Sequence, residues 1–186
     1  MNITDISNEE LISLYSNVIK ELKNREIIRT KNVLGDIAEF LAINYYCQNS
    51  HLPNLQAAPV GTQNIDAISR AGERYSIKAT SGTVTGIFTG LQPKGSEEDD
   101  KQKFEYVIIC KFDEDFHLKA IYEITWENFM NHKRWHSTMK AWNLSLTKNL
   151  IADSTIIYLA EDEINNAEVS TQNSILANES IGVYNG

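Results

Sequence analysis

Within the stretch NIDAISRAGERYSIKAT, residues Asn64 to Thr80, an aspartate, a serine and a lysine (Asp66, Ser76 and Lys78) stand at spacings that one β-hairpin can gather. Strand residues two apart project to the same side, so Ser76 and Lys78 point together while Ile77 points away. A three-residue loop of Arg70, Ala71 and Gly72, with Gly72 left-handed, sets Asp66 opposite Ser76 and diagonal to Lys78. A two-residue Ala71-Gly72 loop would instead oppose Asp66 to Ile77 and scatter the polar set. In the first arrangement Ile65, Ala67, Ile77 and Ala79 line the opposite, core-facing surface. An aspartate on such a rim can hold Mg²⁺, a hard cation that takes oxygen ligands and keeps several waters. A neighbouring lysine can then orient or help deprotonate a water for in-line attack on a phosphodiester.

Elements on either side must position this hairpin. SNEELISLYSNVIKELKNREI opens with Ser7 and Glu10 at capping-box spacing and continues with Leu11, Leu14, Tyr15, Val18, Ile19 and Leu22 at three- and four-residue intervals. That pattern predicts an amphipathic helix over 7–28 packed on the domain. A second helix is expected from Asn32, with Leu34, Ile37, Ala38, Leu41 and Tyr45 in one stripe, stopping before Pro53. LQAAPV, NIDAI, RYSIKAT, FEYVIICKF and LKAIYEI are short, rich in β-branched and aromatic residues, and read as strands. WENFMNHKRWHSTMKAW reads as helix again, and STIIYLA as a last buried strand or a short apolar segment. This order predicts a mixed α/β (α+β) domain over 1–160, a central mixed sheet of four to five strands flanked by helices. The acidic segment 161–186 is expected to be loosely attached.

The helix before the sheet, the strand NIDAI, the turn and the strand YSIKAT together resemble the core of the PD-(D/E)xK, or restriction-endonuclease-like, nucleases. The resemblance covers roughly residues 32–112. It implies a Mg²⁺- or Mn²⁺-dependent endonuclease acting on DNA in restriction, defence or repair, often as a homodimer. Two positions depart from the family pattern: Asn64-Ile65 stands where a proline precedes the aspartate, and Ser76 stands where an acid precedes x-Lys. Family members with such a change can take the carboxylate from a neighbouring helix, which here nominates Glu39 in GDIAEFLA, with Gly35 one turn earlier allowing close approach. By this resemblance Asp66 and Glu39 are the metal ligands, Lys78 activates water and Ser76 is a supporting hydroxyl. Asp36 is a rival to Glu39. A scaffold that has lost its chemistry at Ser76 and binds nucleic acid or protein is the alternative, and a small interaction protein with a phosphate-mimicking acidic tail is a third reading.

Of the 186 residues, 42% are apolar and 23% charged, and no apolar run reaches the ~18 residues of a membrane span. With no signal-peptide pattern at the start, a cytoplasmic protein without membrane partners is expected. Cys47 and Cys110 lack disulfide or zinc spacing and are expected to be buried free thiols. A formal charge of −8 argues against nonspecific coating of nucleic acid, yet residues 161–186 carry five acids and no base, leaving −3 for residues 1–160. From Asn128 to Ala152 there is no acid, and Lys133, Arg134, Lys140 and Lys148, interleaved with Trp135 and Trp142, form a candidate nucleic-acid surface. His132 and His136 are four apart but lack the glutamate of a zinc-protease motif. The Thr- and Gly-rich run Thr80 to Gln92 could line a phosphate path, although it matches no P-loop.

Overall fold

The computed structural model describes residues 2–59 and 61–165. Ser7 starts helix α1 (Asn8–Asn24) through the expected capping box, its Oγ accepting the Glu10 N–H while its own N–H donates to Glu10 Oε2 at 2.8 Å. Helix α1 buries none of its residues fully, although Leu14, Ile19 and Leu22 are partly covered. Leu11, Tyr15 and Val18 remain 44%, 64% and 48% exposed. Three- and four-residue periodicity requires that an apolar stripe find a partner, but it does not say which. The chain turns away at Glu26 (φ 58°), and Ile28 is the first residue to enter the core.

Helix α2 (Val33–Gln48) begins at Asn32, whose Oδ1 accepts the Gly35 N–H. Ala38, Ala42 and Tyr46, one per turn on one face, are fully buried against the sheet, with Leu34, Ile37, Leu41 and Tyr45 beside them. The space over Gly35 is filled by the Asn32 side chain, so the missing Cβ serves the cap and not a close approach to the hairpin.

The sheet has six strands, one more than the upper expectation, in the order β1 (Leu55–Ala57), β2 (Ala67–Ser69), β3 (Arg74–Thr80), β4 (Tyr106–Phe112), β5 (Leu118–Thr125), β8 (Thr155–Leu159). Only β3 and β4 run parallel; the other pairs are antiparallel, so the sheet is mixed and the fold is mixed α/β. β8 pairs at the edge, with Thr155 and Ile156 exposed, so it is not the buried strand that its apolar run suggests. Alternation along β3 divides the interior in two. Tyr75, Ile77 and Ala79 join the core under α2, and the residues between them turn to the other face. That second face carries a core of Phe88, Phe104, Val107, Ile109, Ile124 and Phe129.

The second core is covered by the irregular connection 81–105 and by the chain after β5. Here the helix expected over residues 126–142 is corrected. Helix α3 (Trp126–His132) ends at Lys133, and the chain continues as a hairpin of β6 (Arg134–His136) and β7 (Ala141–Asn143), followed by helix α4 (Lys148–Ala152). Tertiary contacts decide this. Trp135 and Trp142 pair edge to face across the hairpin with ring centroids 5.2 Å apart, and Trp142 Nε1 donates to the Gln92 carbonyl at 2.7 Å. Phe88 bridges to Trp142, joining the hairpin to the connection.

Cys110 is buried as expected and its thiol is pushed up to about 12, whereas Cys47 is exposed. No described helix is long and apolar enough to cross a membrane. Asp162 pairs with Lys119, which ties down the start of the acidic segment; its remainder, from residue 166 on, lies outside the described residues.

Candidate functional site

The hairpin adopts the three-residue loop. Ala67 lies opposite Tyr75 and Ile68 opposite Arg74, with Gly72 at φ 90° in the position that needs a left-handed residue. This register brings Asp66 to Ser76 and Lys78: Ser76 Oγ donates to Asp66 Oδ2 at 3.3 Å, and Lys78 Nζ stands 4.0 Å from the same oxygen. Asp66 Oδ2 also accepts the Ile77 backbone N–H at 2.7 Å. β2 begins only at Ala67, so the carboxylate takes over a main-chain donor that β2 does not reach. Ser76 is fully buried, and Ala67 and Ile77 face the α2 core as the alternation predicts. Lys78 Nζ lies 5.0 Å from the centroid of the buried Phe88 ring, whose face attracts a cation.

Helix α2 brings Glu39 to the same place. Its neighbour Asp36, buried, receives the backbone N–H groups of Arg29 (2.7 Å) and Thr30 (2.5 Å) and the Thr30 hydroxyl (3.1 Å). Asp36 is therefore engaged in pinning residues 29–30 onto the first turn of α2. The pinned segment aims Arg29 at Glu39, Nη2 to Oε2, at 2.5 Å. Burial pushes the Glu39 carboxyl above its usual range, the charge of Asp66 adds to this, and Arg29 opposes it.

Glu39, Asp66 and Lys78 line one cleft of about 360 Å³, with Asn32 and Leu34 on the α2 side and Gly86 and Ile87 of the Thr- and Gly-rich run on the other. The cleft's donors to a cation are carboxylate, side-chain amide and carbonyl oxygens, with no His or Cys among its lining residues. Such a donor set suits Mg²⁺ or Mn²⁺, which binds through one or two carboxylates and completes its shell with water and phosphate oxygens. Two carboxylates in a half-buried cleft repel each other unless a cation lies between them, and that repulsion adds to the larger effect of burial in raising Glu39. Among the described residues no three His, Cys, Asp or Glu side chains gather as a closed metal site. A cation here would take two protein carboxylates, Asp66 and Glu39.

The four basic residues nominated from sequence do not act alike. Lys133 is half-buried and committed: Nζ meets Asp100 Oδ2 at 2.5 Å and lies 4.4 Å from the Trp142 ring centroid. Arg134 on β6, Lys140 in the hairpin turn and Lys148 at the start of α4 are exposed. His132 pairs with Asp153 at 2.7 Å. Arg29 and Phe88 were not foreseen. Arg29 lies outside every motif, and the apolar signal of Phe88 does not distinguish a core ring from one beneath a lysine.

Comparison with protein-family models and with curated proteins gives no match.

Proposed function

We propose that this chain is a divalent-cation-dependent endonuclease of the restriction-endonuclease-like class that hydrolyses DNA phosphodiester bonds, acting in the cytoplasm in restriction, defence or repair. The observation that carries the proposal is the convergence of Glu39, Asp66 and Lys78 on one cleft from three separate chain segments. Asp66 and Glu39 would hold Mg²⁺ or Mn²⁺, which supplies charge stabilisation to the phosphate and lowers the pKa of bound water. Lys78 orients the attacking water and takes part in its deprotonation. Ser76 and the Ile77 N–H fix the Asp66 carboxylate, and Arg29 neutralises Glu39 in the cation-free protein. Arg134, Lys140 and Lys148 contribute phosphate contacts, which position the duplex without reading its sequence. Plasmid cleavage in Mg²⁺ or Mn²⁺, lost in Lys78→Ala and in Asp66→Asn while the far-UV spectrum and melting temperature hold, supports the proposal. Undiminished cleavage in Lys78→Ala overturns it.

A second reading, a nuclease-like scaffold that binds nucleic acid or protein without cutting, is favoured by one observation: the position where this class carries an acid is a fully buried, neutral Ser76. Band shifts of DNA without cleavage in any divalent metal would select it.

A further inference from the structure

Arg29 is fixed at its main chain and held at its tip by one contact. Its backbone N–H and that of Thr30 donate to Asp36 Oδ2 at 2.7 Å and 2.5 Å, which anchors the root of the side chain on the first turn of α2. The guanidinium uses a single N–H, Nη2 to Glu39 Oε2, and among the described residues its other donors meet no acceptor. A planar fork satisfied at one corner is suited to grip a phosphate through two parallel hydrogen bonds. Room for that phosphate lies beside it. Glu39 and Asp66 stand between the cleft that holds Lys78 and a smaller pocket of about 90 Å³, lined by Arg29 together with Gly61 and Thr62.

Charge decides what Arg29 does when the cleft is loaded. Without a cation, Arg29 and Lys78 balance the carboxylates of Glu39 and Asp66, while buried Asp36 is answered by main-chain donors and the Thr30 hydroxyl. A divalent ion on Glu39 and Asp66 answers both carboxylates by itself, so the guanidinium loses its partner and is repelled by the ion. We propose that Arg29 is a phosphate-binding residue held in reserve by Glu39, which turns into the smaller pocket when the cation binds and takes the phosphodiester next to the scissile one. Arg29 in this role rests on the nuclease reading of the cleft. It touches a phosphate outside the bond that breaks, so it binds and positions the strand and takes no part in the chemistry. Linkage makes the coupling reciprocal: a strand phosphate that draws Arg29 away frees Glu39 for the cation, as the cation frees Arg29 for the strand.

A double-mutant cycle read by DNA affinity in EDTA tests it, because Glu39→Gln removes the carboxylate that holds Arg29 without any metal. Fluorescence anisotropy with a labelled duplex is measured on the wild type, Glu39→Gln, Arg29→Gln and the double variant, with folding checked by circular dichroism. Glu39→Gln should tighten binding about tenfold while Arg29 is present, the worth of a charge-assisted phosphate contact. In Arg29→Gln it should tighten binding less than about threefold, since only the loss of a negative charge remains. The slope of log affinity against log salt should be steeper by about 0.9 in Glu39→Gln than in the double variant. By calorimetry without DNA, Arg29→Gln should bind Mn²⁺ about threefold more tightly than the wild type or better, its competitor for Glu39 being gone. Arg29→Lys, which keeps the charge beside Glu39 and loses the fork, should give an intermediate coupling, and it carries the same comparison if Arg29→Gln does not fold. An equal gain from Glu39→Gln in both backgrounds overturns the proposal, and so does an Arg29→Gln protein that binds Mn²⁺ no more tightly than the wild type. Failure of the nuclease reading looks different: a cycle that behaves as expected in a protein that cuts DNA in no divalent metal retains the Arg29 phosphate contact and discards the cleavage.

Discussion

Arg29 and Glu39 form an ion pair at 2.5 Å in a second pocket that shares Glu39 and Asp66 with the cleft. The arginine already neutralises Glu39 in part, as a bound cation would. A divalent ion binding between Glu39 and Asp66 would compete with Arg29, and with protonation of Glu39, which its raised pKa favours. Because the folded-state pKa is raised, the contribution of Glu39 to stability is full below its unfolded value and is lost as pH rises through the folded one. Cation-free protein should thus lose stability across that window, and Glu39→Gln should flatten the loss. Added Mn²⁺ should raise the melting temperature of the wild type increasingly as pH climbs, and should leave Glu39→Gln nearly unchanged. Thermal melts at several pH values with and without Mn²⁺ check both.

Ser76→Asp installs the acid that the nuclease family carries at this position, inside a site with no exposed surface and 3.3 Å from Asp66. A second buried carboxylate without a partner should destabilise the cation-free protein by about 2–4 kcal/mol, seen in urea unfolding. Mg²⁺ should recover most of that loss. Recovery by Mg²⁺ and not by an equal ionic strength of KCl would identify the cleft as the binding place.

Lys133 and its exposed neighbours should separate cleanly. Lys133→Ala leaves the nearly buried Asp100 carboxylate unpaired and should cost about 3–5 kcal/mol. Arg134→Ala, Lys140→Ala and Lys148→Ala should leave the melting temperature within about 2 °C, since exposed substitutions change stability little. Each of the three should lower the slope of log affinity for DNA against log salt by about 0.9 if its side chain meets a phosphate. Salt titrations by fluorescence anisotropy measure this.

Tyr46 donates to Glu123 at 2.7 Å beneath α2, and burial raises the Glu123 carboxyl above its usual range. The linkage has the same sign as at Glu39: the stabilising contribution is present in acid and fades as pH rises through the raised value. Glu123→Gln keeps an acceptor for the Tyr46 hydroxyl and carries no charge. It should raise the melting temperature at pH 8 by about 2–4 °C and have little effect at pH 4.

The hairpin was legible because two short-range rules agree on it. Gly72 marks the left-handed loop position, and alternation then fixes which residues share a face, so Asp66, Ser76 and Lys78 meet as their spacing implies. β3 and the start of α2 were legible for the same reason, one through its β-branched and aromatic residues and the other through its Asn32 cap. The segment after Thr125 was not. Its cations and tryptophans fit either a helix or a hairpin, and what selects the hairpin is the approach of Gln92 and Phe88, distant in the chain. The role of Asp36 was hidden likewise, because its partners are main-chain groups of Arg29 and Thr30, which no side-chain pattern announces.

The connection between the two parallel strands also bears on when the site is assembled. Lys78 sits on β3, whose neighbour β4 returns only after the long irregular stretch 81–105. Closing such a loop costs chain entropy before any pairing compensates it, while the β2–β3 turn closes locally and early. The strand under Lys78 therefore gains its second neighbour late in folding. A ribosome-bound chain that has not yet exposed residues up to Phe112 can make the turn at Gly72 but not the floor of the cleft.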